Sequence, residues 1–278
     1  MDWKGREQSQ NVEDRRGSGG GGGGRTPGIL GIIVVLIGAY YGVDLSGLVG
    51  TPSMGTGSTQ TSQLKPQEEA ELNELARVVL ADTEKAWGSY FKQIGRTYTP
   101  TTLVLYNGGT STACGMGQSA MGPFYCPGDK KVYLDLDFYR DMQTKLNSAS
   151  DAAFAYVITH QVGHHVQNLL GTLPQVHRMQ QQVGKKEANA LSVKLELQAD
   201  CYAGIWGHYA VNNNIFKPED IPKAMLAAES VGDDRLQKDG QGYVVPDSFT
   251  HGSSEQRMAW LKRGLDSGDI NQCNTFGN

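Results

Sequence analysis

Apolar residues recur with the period of an α-helix along most of the chain. They predict a long helix from Glu68 to Phe91, whose apolar face is formed by Leu72, Leu75, Val79, Ala86 and Phe91. The same pattern predicts helices over 150–170 and 186–212, and shorter ones over 218–230 and 253–266. Most of this part of the chain is therefore expected to be helical.

Two short stretches show a β-type pattern instead. Thr101–Tyr106 is an apolar run, and Lys131–Phe138 alternates apolar and polar residues, as in a strand with one buried face. Gly108–Gly128, between them, is rich in glycine and small residues and is interpreted as a loop. The predicted domain is thus α+β, mostly helical with a small sheet.

The first 66 residues differ from the rest in composition. Residues 1–27 are polar and include an unbroken glycine run, so they are predicted to be a disordered N-terminus. Residues 28–43 carry no charge and predict a transmembrane anchor over 28–48. Residues 49–66 are interpreted as a flexible linker, followed by a folded domain over 67–278.

An uncleaved anchor is favoured over a cleaved signal peptide, because the polar lead is long and no A-x-A site follows. A buried core helix is disfavoured, since both flanks are of low complexity. Arg15, Arg16 and Arg25 precede the apolar segment and favour a cytoplasmic N-terminus. The only hint about oligomeric state is one small-xxx-small pair, Gly38 and Gly42, and it is weak.

Charge and cysteine content narrow the class of protein. The chain of 278 residues has a formal net charge of −4, which gives no electrostatic case for nucleic acid as a partner. Four cysteines without a C-x-x-C pair argue against a thiolate zinc site. Their even number suggests two disulfides in an exported domain, with free thiols in a cytosolic protein as the alternative. Of the three pairings, we favour Cys114–Cys126, which closes a short loop, and Cys201–Cys273, which ties the tail to the core.

The candidate chemistry centres on His160 and His164, in the helix predicted over 150–170. Residues four apart lie on one helical face, so both imidazoles can reach one metal ion. In the H-E-x-x-H motif such a pair binds zinc, and the glutamate acts as general base on the attacking water. The spacing alone is a weak signal, but the helix is apolar and Gly163 would allow another backbone to approach closely. The strand over 131–138 precedes it, where a zincin has the sheet edge that pairs with extended substrate.

The next predicted helix carries Glu196 and Asp200, which share one face. Glu196 is the candidate third metal ligand, and Asp200 is a candidate to accept the free N–H of a ligand histidine. An ordinary solvated acidic face is the alternative. The residues that follow, Cys-Tyr-Ala-Gly-Ile-Trp, indicate a buried helix, and buried carboxylates need a partner.

Several long motifs resemble the bacterial putative neutral zinc metallopeptidase family (the YpfJ type). They are VITHQVGHHVQNLLG, LELQADCYAGIW, HGSSEQRMAWLKRG, the N-terminal MDWKGREQSQNVEDRR and the segment CGMGQSAMGPFYCPGDKKVYLDLDFY, and together they span nearly the whole chain. The resemblance implies a zincin-like (gluzincin-like) metallopeptidase domain with Zn²⁺ held by His160, His164 and Glu196. It also implies a single-pass membrane protein. Together with the cytoplasmic N-terminus that the arginines favour, the expected location is the bacterial inner membrane with the catalytic domain in the periplasm.

Gln161 departs from the family pattern, which has glutamate at the position of the general base. A glutamine amide keeps the shape of the side chain but cannot accept a proton at neutral pH, so this form is expected to be catalytically impaired. An engineered, substrate-trapping form is favoured over a natural pseudoenzyme, because the other features of the site are intact.

Other histidines and tyrosines are weaker candidates. His251 is a candidate oxyanion stabiliser, but the favoured interpretation is that it only leads into a helix capped by Ser253 or Ser254. His165 points about 100° away from His164 around the helix and is expected to be structural. The same expectation holds for His177, His208, Tyr202 and Tyr209.

Two functions from different classes follow. The first is a membrane-anchored zinc metallopeptidase that hydrolyses a peptide or protein substrate. The second is a zinc-containing binding or regulatory protein without catalysis. A third reading needs no metal, with the histidine-rich helix simply packed in the core.

Overall fold

The computed structural model describes residues 1–17, the backbone of residues 34–35, and residues 61–277. Their main sheet has the strand order β1-β3-β7-β6-β2. The strands are β1 (Val12–Asp14), β2 (Val34–Val35), β3 (Thr102–Leu105), β6 (Phe124–Cys126) and β7 (Lys131–Leu134). β3 runs parallel to both β1 and β7, whereas β6 runs antiparallel to β7 and to β2. A separate hairpin is formed by β4 (Gly109–Thr112) and β5 (Gly115–Gln118).

Eight helices account for most of the described residues. They are α1 (Pro66–Gln93), α2 (Phe138–Thr144), α3 (Asp151–Leu169), α4 (Thr172–Gln180), α5 (Lys185–Asn212), α6 (Asp220–Ser230), α7 (Asp233–Gln241) and α8 (Ser254–Ser267). The five predicted helices correspond to α1, α3, α5, α6 and α8, which confirms the mostly helical α+β architecture. Helices α2, α4 and α7, of 7, 9 and 9 residues, are too short to show a clear helical period.

Helix α3 lies at the centre of the fold. It packs against α5, α6, α1 and the sheet, and every residue from Ala152 to Gln167 is buried. A Cβ built on Gly163 would lie 3.0 Å from the carbonyl oxygen of Ala199, so the close backbone approach expected at Gly163 is confirmed. Helices α5 and α8 cross even more closely, since a Cβ on Gly264 would lie 2.0 Å from the carbonyl oxygen of Cys201. These glycines bring the backbones of α3, α5 and α8 together.

The interpretation of 131–138 as a substrate-pairing edge strand is wrong. Strand β7 ends at Leu134 and lies between β3 and β6, so both of its backbone edges are already paired. Alternating polarity reports which face of a strand is buried, not whether the strand has lateral neighbours. Here Tyr133 stacks on Phe124 with ring centroids 4.9 Å apart, on the side where the hairpin packs.

The predicted loop over 108–128 also contains regular structure. The hairpin covers Phe124, because a Cβ on Gly117 would lie 2.5 Å from its ring. Small residues in this segment allow that contact, and the buried Phe124–Cys126 forms β6. Both favoured disulfides are present: Cys114–Cys126 joins the hairpin to β6, and Cys201–Cys273 joins α5 to the 3-10 turn Ile270–Cys273.

The prediction of a disordered N-terminus over residues 1–27 is wrong for residues 1–17. Trp3 is 3% exposed, and its indole N–H donates to Asp151 at 2.8 Å. Strand β1 extends the sheet beside β3. Polar composition misled the prediction because one buried tryptophan, backbone pairing and ion pairs secure this segment without a large apolar surface. Residues 18–27 lie outside the described part.

The contact between residues 1–17 and the domain bears on the predicted membrane topology. Strand β1 pairs with β3, so residues 12–14 and 103–105 lie in one sheet, and a cytoplasmic N-terminus with a periplasmic domain stays a prediction. Two of the three arginines that favoured a cytoplasmic N-terminus have partners in the fold: Arg15 pairs with Glu13, and Arg16 pairs with Asp14 and Glu69. Arg25 lies outside the described residues.

The predicted anchor over 28–48 lies outside the described residues, apart from the backbone of Val34–Val35. The predicted linker over 49–66 is described only from residue 61. Within the described ranges, no helix is both long and apolar enough to span a membrane.

Candidate metal centre

Three buried side chains from α3 and α5 converge at one point. The Nε2 atoms of His160 and His164 lie 3.1 Å apart. Glu196 Oε2 lies 2.9 Å from His160 Nε2, and Glu196 Oε1 lies 3.3 Å from His164 Nε2. Both histidines are 0% exposed and Glu196 is 4% exposed. The structure therefore brings together the three residues that the sequence predicted as metal ligands.

Helix geometry explains this convergence. His160 and His164 are one turn apart on α3, and so are Glu196 and Asp200 on α5. Gly163 lies between the two histidines and lets α5 approach α3 closely. As a result, the acidic face of α5 meets the histidine face of α3.

Hydrogen bonds at Nδ1 fix the tautomer of both histidines. Nδ1 of His160 lies 2.8 Å from Asp200 Oδ1, and Nδ1 of His164 lies 2.8 Å from Gln167 Oε1. Both partners are acceptors. The ionised Asp200 carboxylate can only accept, and Gln167 presents its oxygen because its amide nitrogen donates to the carbonyl oxygen of Leu195 and to the side-chain oxygen of Gln198. Each Nδ1 therefore carries the proton, and each Nε2 presents a lone pair to the common point.

This donor set fits zinc. Two ligand atoms bound at ~2.0–2.1 Å in tetrahedral geometry lie roughly 3.3 Å apart, close to the three separations observed. Two imidazole lone pairs and a carboxylate that face one another in a buried site repel unless a proton or a metal ion lies between them. Nitrogen and oxygen donors in this combination are those of known catalytic zinc sites.

A buried ion pair supports the carboxylate behind His160. Arg257, which is 0% exposed, donates from Nε to Asp200 Oδ2 at 2.8 Å and from Nη2 to Oδ1 at 3.1 Å. The hydroxyl of Tyr156 also donates to Asp200. Burial alone would raise the pKa of Asp200, but the Arg257 charge and the His160 contact hold it below its usual value. Asp200 therefore stays ionised and holds the proton on His160 Nδ1.

The carboxylate of Glu196 is ionised for a similar reason. Burial opposes its charged form, yet the adjacent imidazoles of His164 and His160 hold its pKa well below the usual value. With zinc bound, the centre would combine this one anionic ligand with two neutral imidazoles.

Gln161 lies directly beside the converging ligands in sequence and is 0% exposed. Its Nε2 donates to the carbonyl oxygen of Pro123 at 3.3 Å, just before β6. Its Oε1 is a buried oxygen with no hydrogen-bond partner among the described residues. The amide oxygen is therefore available to accept a hydrogen bond from a small molecule, such as water.

His251 is held by Asp233 at the start of α7. Asp233 Oδ2 accepts from the backbone N–H groups of Thr250, His251 and Gly252, and its Oδ1 lies 3.4 Å from His251 Nδ1. Burial lowers the pKa of His251, but Asp233 outweighs it and raises the pKa to about 9. His251 is therefore cationic at neutral pH. A Cβ built on Gly252 would lie 3.0 Å from Leu197 and 3.4 Å from Val193 on α5, which places this loop close to Glu196.

The other histidines and tyrosines have structural contacts rather than a place among the metal ligands. His165 bonds Tyr125 and the carbonyl oxygen of Thr99, and burial lowers its pKa to about 4. His208 bonds the carbonyl oxygen of Leu265, and Tyr202 packs edge-on against Trp87. His177 and Tyr209 are half-buried. None of these three histidines belongs to the cluster of His160, His164 and Glu196 found among the described residues.

Sequence reasoning identified Asp200 as a support of a ligand histidine but missed the other supporting residues. Gln167 lies three residues after His164, a spacing that could have identified it. Arg257 and Asp233 gave no such signal, because they come from α8 and α7, far along the chain from α3. A buried arginine on an amphipathic helix has the same sequence pattern as an exposed one.

Comparisons with known proteins identify a family. The profile of the family described as putative neutral zinc metallopeptidase matches residues 1–276. The uncharacterized protein YpfJ of Escherichia coli (strain K12) is 52% identical over 287 aligned residues, which cover 100% of this chain and 99% of YpfJ. The uncharacterized proteins Rv2575 of Mycobacterium tuberculosis (strain H37Rv) and Mb2605 of Mycobacterium bovis are each 39% identical over 219 residues, covering 74% of this chain and 73% of theirs. No solved structure matches.

Proposed function

The chain belongs to the putative neutral zinc metallopeptidase family, and from this premise we propose that it binds zinc through His160, His164 and Glu196 to hydrolyse peptide bonds. One observation carries the proposal: both Nε2 lone pairs and the Glu196 carboxylate point at one buried place, at separations that suit a tetrahedral ion. When bound, zinc supplies a Lewis acid that polarises a peptide carbonyl and makes water more acidic.

The chain's own residues prepare the site for that chemistry. Asp200 and Gln167 keep the protons of His160 and His164 on Nδ1, so both Nε2 atoms remain donors to the metal. Glu196 contributes the single negative charge. Burial on α3 and α5 excludes bulk water, which strengthens electrostatic effects at the centre.

Position 161 is where the family motif places the general base. Gln161 can accept a hydrogen bond from the attacking water through its unpartnered Oε1, but it cannot take the proton. We therefore expect this form to be slower than a glutamate form by about 10²–10⁴-fold. An engineered change and a natural pseudoenzyme both fit this residue.

His251 is proposed to stabilise the developing oxyanion. A cationic imidazole can donate to an oxygen that gains negative charge in the transition state. Asp233 fixes the loop through three backbone N–H groups and keeps the ring protonated. The loop also contacts α5 next to Glu196, as the role requires.

The location and partners are part of the proposal. Two disulfides support an oxidising compartment, such as the periplasm of a bacterium. Because β1 pairs with β3, residues 1–17 are proposed to share that compartment with the domain. Attachment to the inner membrane through residues 28–48, and a peptide or protein as substrate, stay predictions.

Restoring glutamate at position 161 tests the function. We expect Gln161→Glu to cleave an unstructured protein such as casein, and a chelator to abolish that activity. His164→Ala in the Gln161→Glu background is the matched control and should be inactive. If Gln161→Glu binds zinc at one ion per chain but cleaves nothing, the binding or regulatory protein is favoured. If the unchanged chain, with Gln161, binds no zinc in zinc-replete buffer, both functions are overturned.

A further inference from the structure

A directional chain of hydrogen bonds links His164 to the turn Ile270–Cys273. His164 Nδ1 donates to Gln167 Oε1, Gln167 Nε2 donates to Gln198 Oε1 at 3.0 Å, and Gln198 Nε2 donates to the carbonyl oxygen of Cys273 at 3.0 Å. Gln167 and Cys273 are fully buried, and Gln198 is 6% exposed. These four residues, called the amide relay below, connect the metal centre to the C-terminal tail.

The direction of the relay follows from its last member. A carbonyl oxygen can only accept, so Gln198 must turn its nitrogen to Cys273 and its oxygen to Gln167. Gln167 must then turn its own oxygen to His164. A reversed Gln167 would present a donor to Nδ1, and the imidazole proton would move to Nε2, where it would block the metal. The orientation of the Cys273 carbonyl is therefore transmitted to the Nε2 lone pair of His164.

The Cys201–Cys273 disulfide holds that carbonyl in place. Cys201 lies three residues after Gln198 on α5, so the bond ties the turn to the helix that carries both Gln198 and Glu196. The Thr275 hydroxyl adds a hydrogen bond to the carbonyl oxygen of Lys194 on the same helix. The Leu195 carbonyl also accepts from Gln167, so loss of the Gln198 contact weakens the orientation without removing it.

We propose that Gln198 and the Cys201–Cys273 disulfide are positioning elements of the metal centre, so that retention of zinc depends on this disulfide. The inference rests on the proposed zinc binding. A dithiol reductant would cleave the S–S bond, giving two electrons and two protons to form the Cys201 and Cys273 thiols while its own thiols form a disulfide. The freed turn would no longer hold the acceptor at the end of the relay.

The test measures the zinc dissociation constant of the full chain by competition with a chelating dye. We expect Gln198→Met, which keeps the disulfide and the side-chain volume, to weaken zinc binding several-fold, up to about tenfold, because Gln198 orients Gln167 rather than the ligand itself and the Leu195 carbonyl still contacts Gln167. The exposed Gln182→Met is the matched control and should bind like wild type. The visible spectrum of the Co²⁺-substituted protein provides a second readout of ligand geometry and should change only in Gln198→Met.

The two disulfides give a matched pair. The double variant Cys201→Ala/Cys273→Ala is expected to bind zinc about as weakly as Gln198→Met, whereas Cys114→Ala/Cys126→Ala, in the hairpin region, should bind normally. Should the first double variant not fold, Gln198→Met decides. Wild-type affinity in a folded Gln198→Met overturns the inference and leaves the proposed function standing. Absence of zinc binding in wild type overturns the proposed function itself.

Discussion

His160 and His164 lie one turn apart on α3, yet the protein supports them by different means. Behind His160 is an ionised carboxylate, Asp200, neutralised by the buried Arg257. Behind His164 are only the uncharged amides of Gln167 and Gln198. The charged support holds its histidine strongly, but losing either ion leaves the other unpaired in the core. The amide relay fixes a tautomer without adding charge, and it depends on a distant carbonyl for its direction.

Loss of Arg257, which supports His160 through Asp200, should lower the stability of the fold more than the other substitutions below. Arg257→Met leaves Asp200 buried and unpaired, so we expect the free energy of unfolding to fall by about 3–5 kcal/mol. Chemical denaturation of the metal-free protein measures it. Arg263→Met, on the exposed face of the same helix, should cost less than about 1 kcal/mol. Equal losses in the two variants would show that Asp200 does not depend on Arg257.

A third histidine on α3, His165, is not a metal ligand, but its low pKa makes the stability of the metal-free fold depend on pH. Its pKa of about 4 in the fold is below the usual value near 6.5, so the unfolded chain binds a proton more readily. Stability from this group is complete above pH ~6.5 and is lost as the pH falls towards 4, by up to about 3 kcal/mol.

Denaturation of the metal-free protein at pH 7 and pH 4.5 tests this expectation. His165→Asn removes the titrating group, so its stability should fall less between the two pH values than that of wild type. Identical pH dependence in both proteins would contradict the low pKa and the structural role of His165.

Substitution of Gln167, in the amide relay behind His164, should destabilise the fold less than substitution of Arg257. Gln167→Met leaves His164 Nδ1 and the oxygen of Gln198 without their partner, which costs about 1–3 kcal/mol. Zinc affinity should fall as well, so thermal unfolding needs to be followed with and without zinc. A loss as large as that of Arg257→Met would mean that the amide relay is as critical as the ion pair.

Gly163 lies between His160 and His164 and lets α5 approach both. Its substitution should cause the smallest loss of stability among these variants. An added methyl group would press on the Ala199 carbonyl at 3.0 Å, at a cost of about 1–3 kcal/mol, partly offset by the higher helix propensity of alanine. We expect Gly163→Ala to lose about 1 kcal/mol net. Gly88→Ala, on α1 with nothing within 4 Å, should gain a similar amount. A gain at Gly163 would show that α3 and α5 can separate freely.

The ligands were predictable from the sequence because local helical spacing determines them. His160 with His164, and Glu196 with Asp200, are each one turn apart, and Gly163 indicated the close approach of a second helix. The supports of these residues were not predictable in the same way. Arg257 reaches Asp200 only because glycines let α8 cross α5, a tertiary contact that leaves no period in the sequence.

The sheet shows a second limit of prediction. The pattern of 131–138 identified a strand correctly, but its position between β3 and β6 depends on which segments pair, and pairing is set by the whole fold. Residues 1–17 were mistaken for a disordered tail because their order comes from long-range partners. Trp3, for instance, depends on Asp151 at the start of α3.

The parallel pairing of β1 with β3 also orders events during synthesis. β1 leaves the ribosome early but has no strand to join until β3 emerges, and Trp3 must wait still longer for Asp151. Contacts between distant parts of a chain form slowly, because a long loop must close first. The nascent N-terminal segment therefore stays exposed to proteases and chaperones until α3 has been made. It forms its native contacts late in folding.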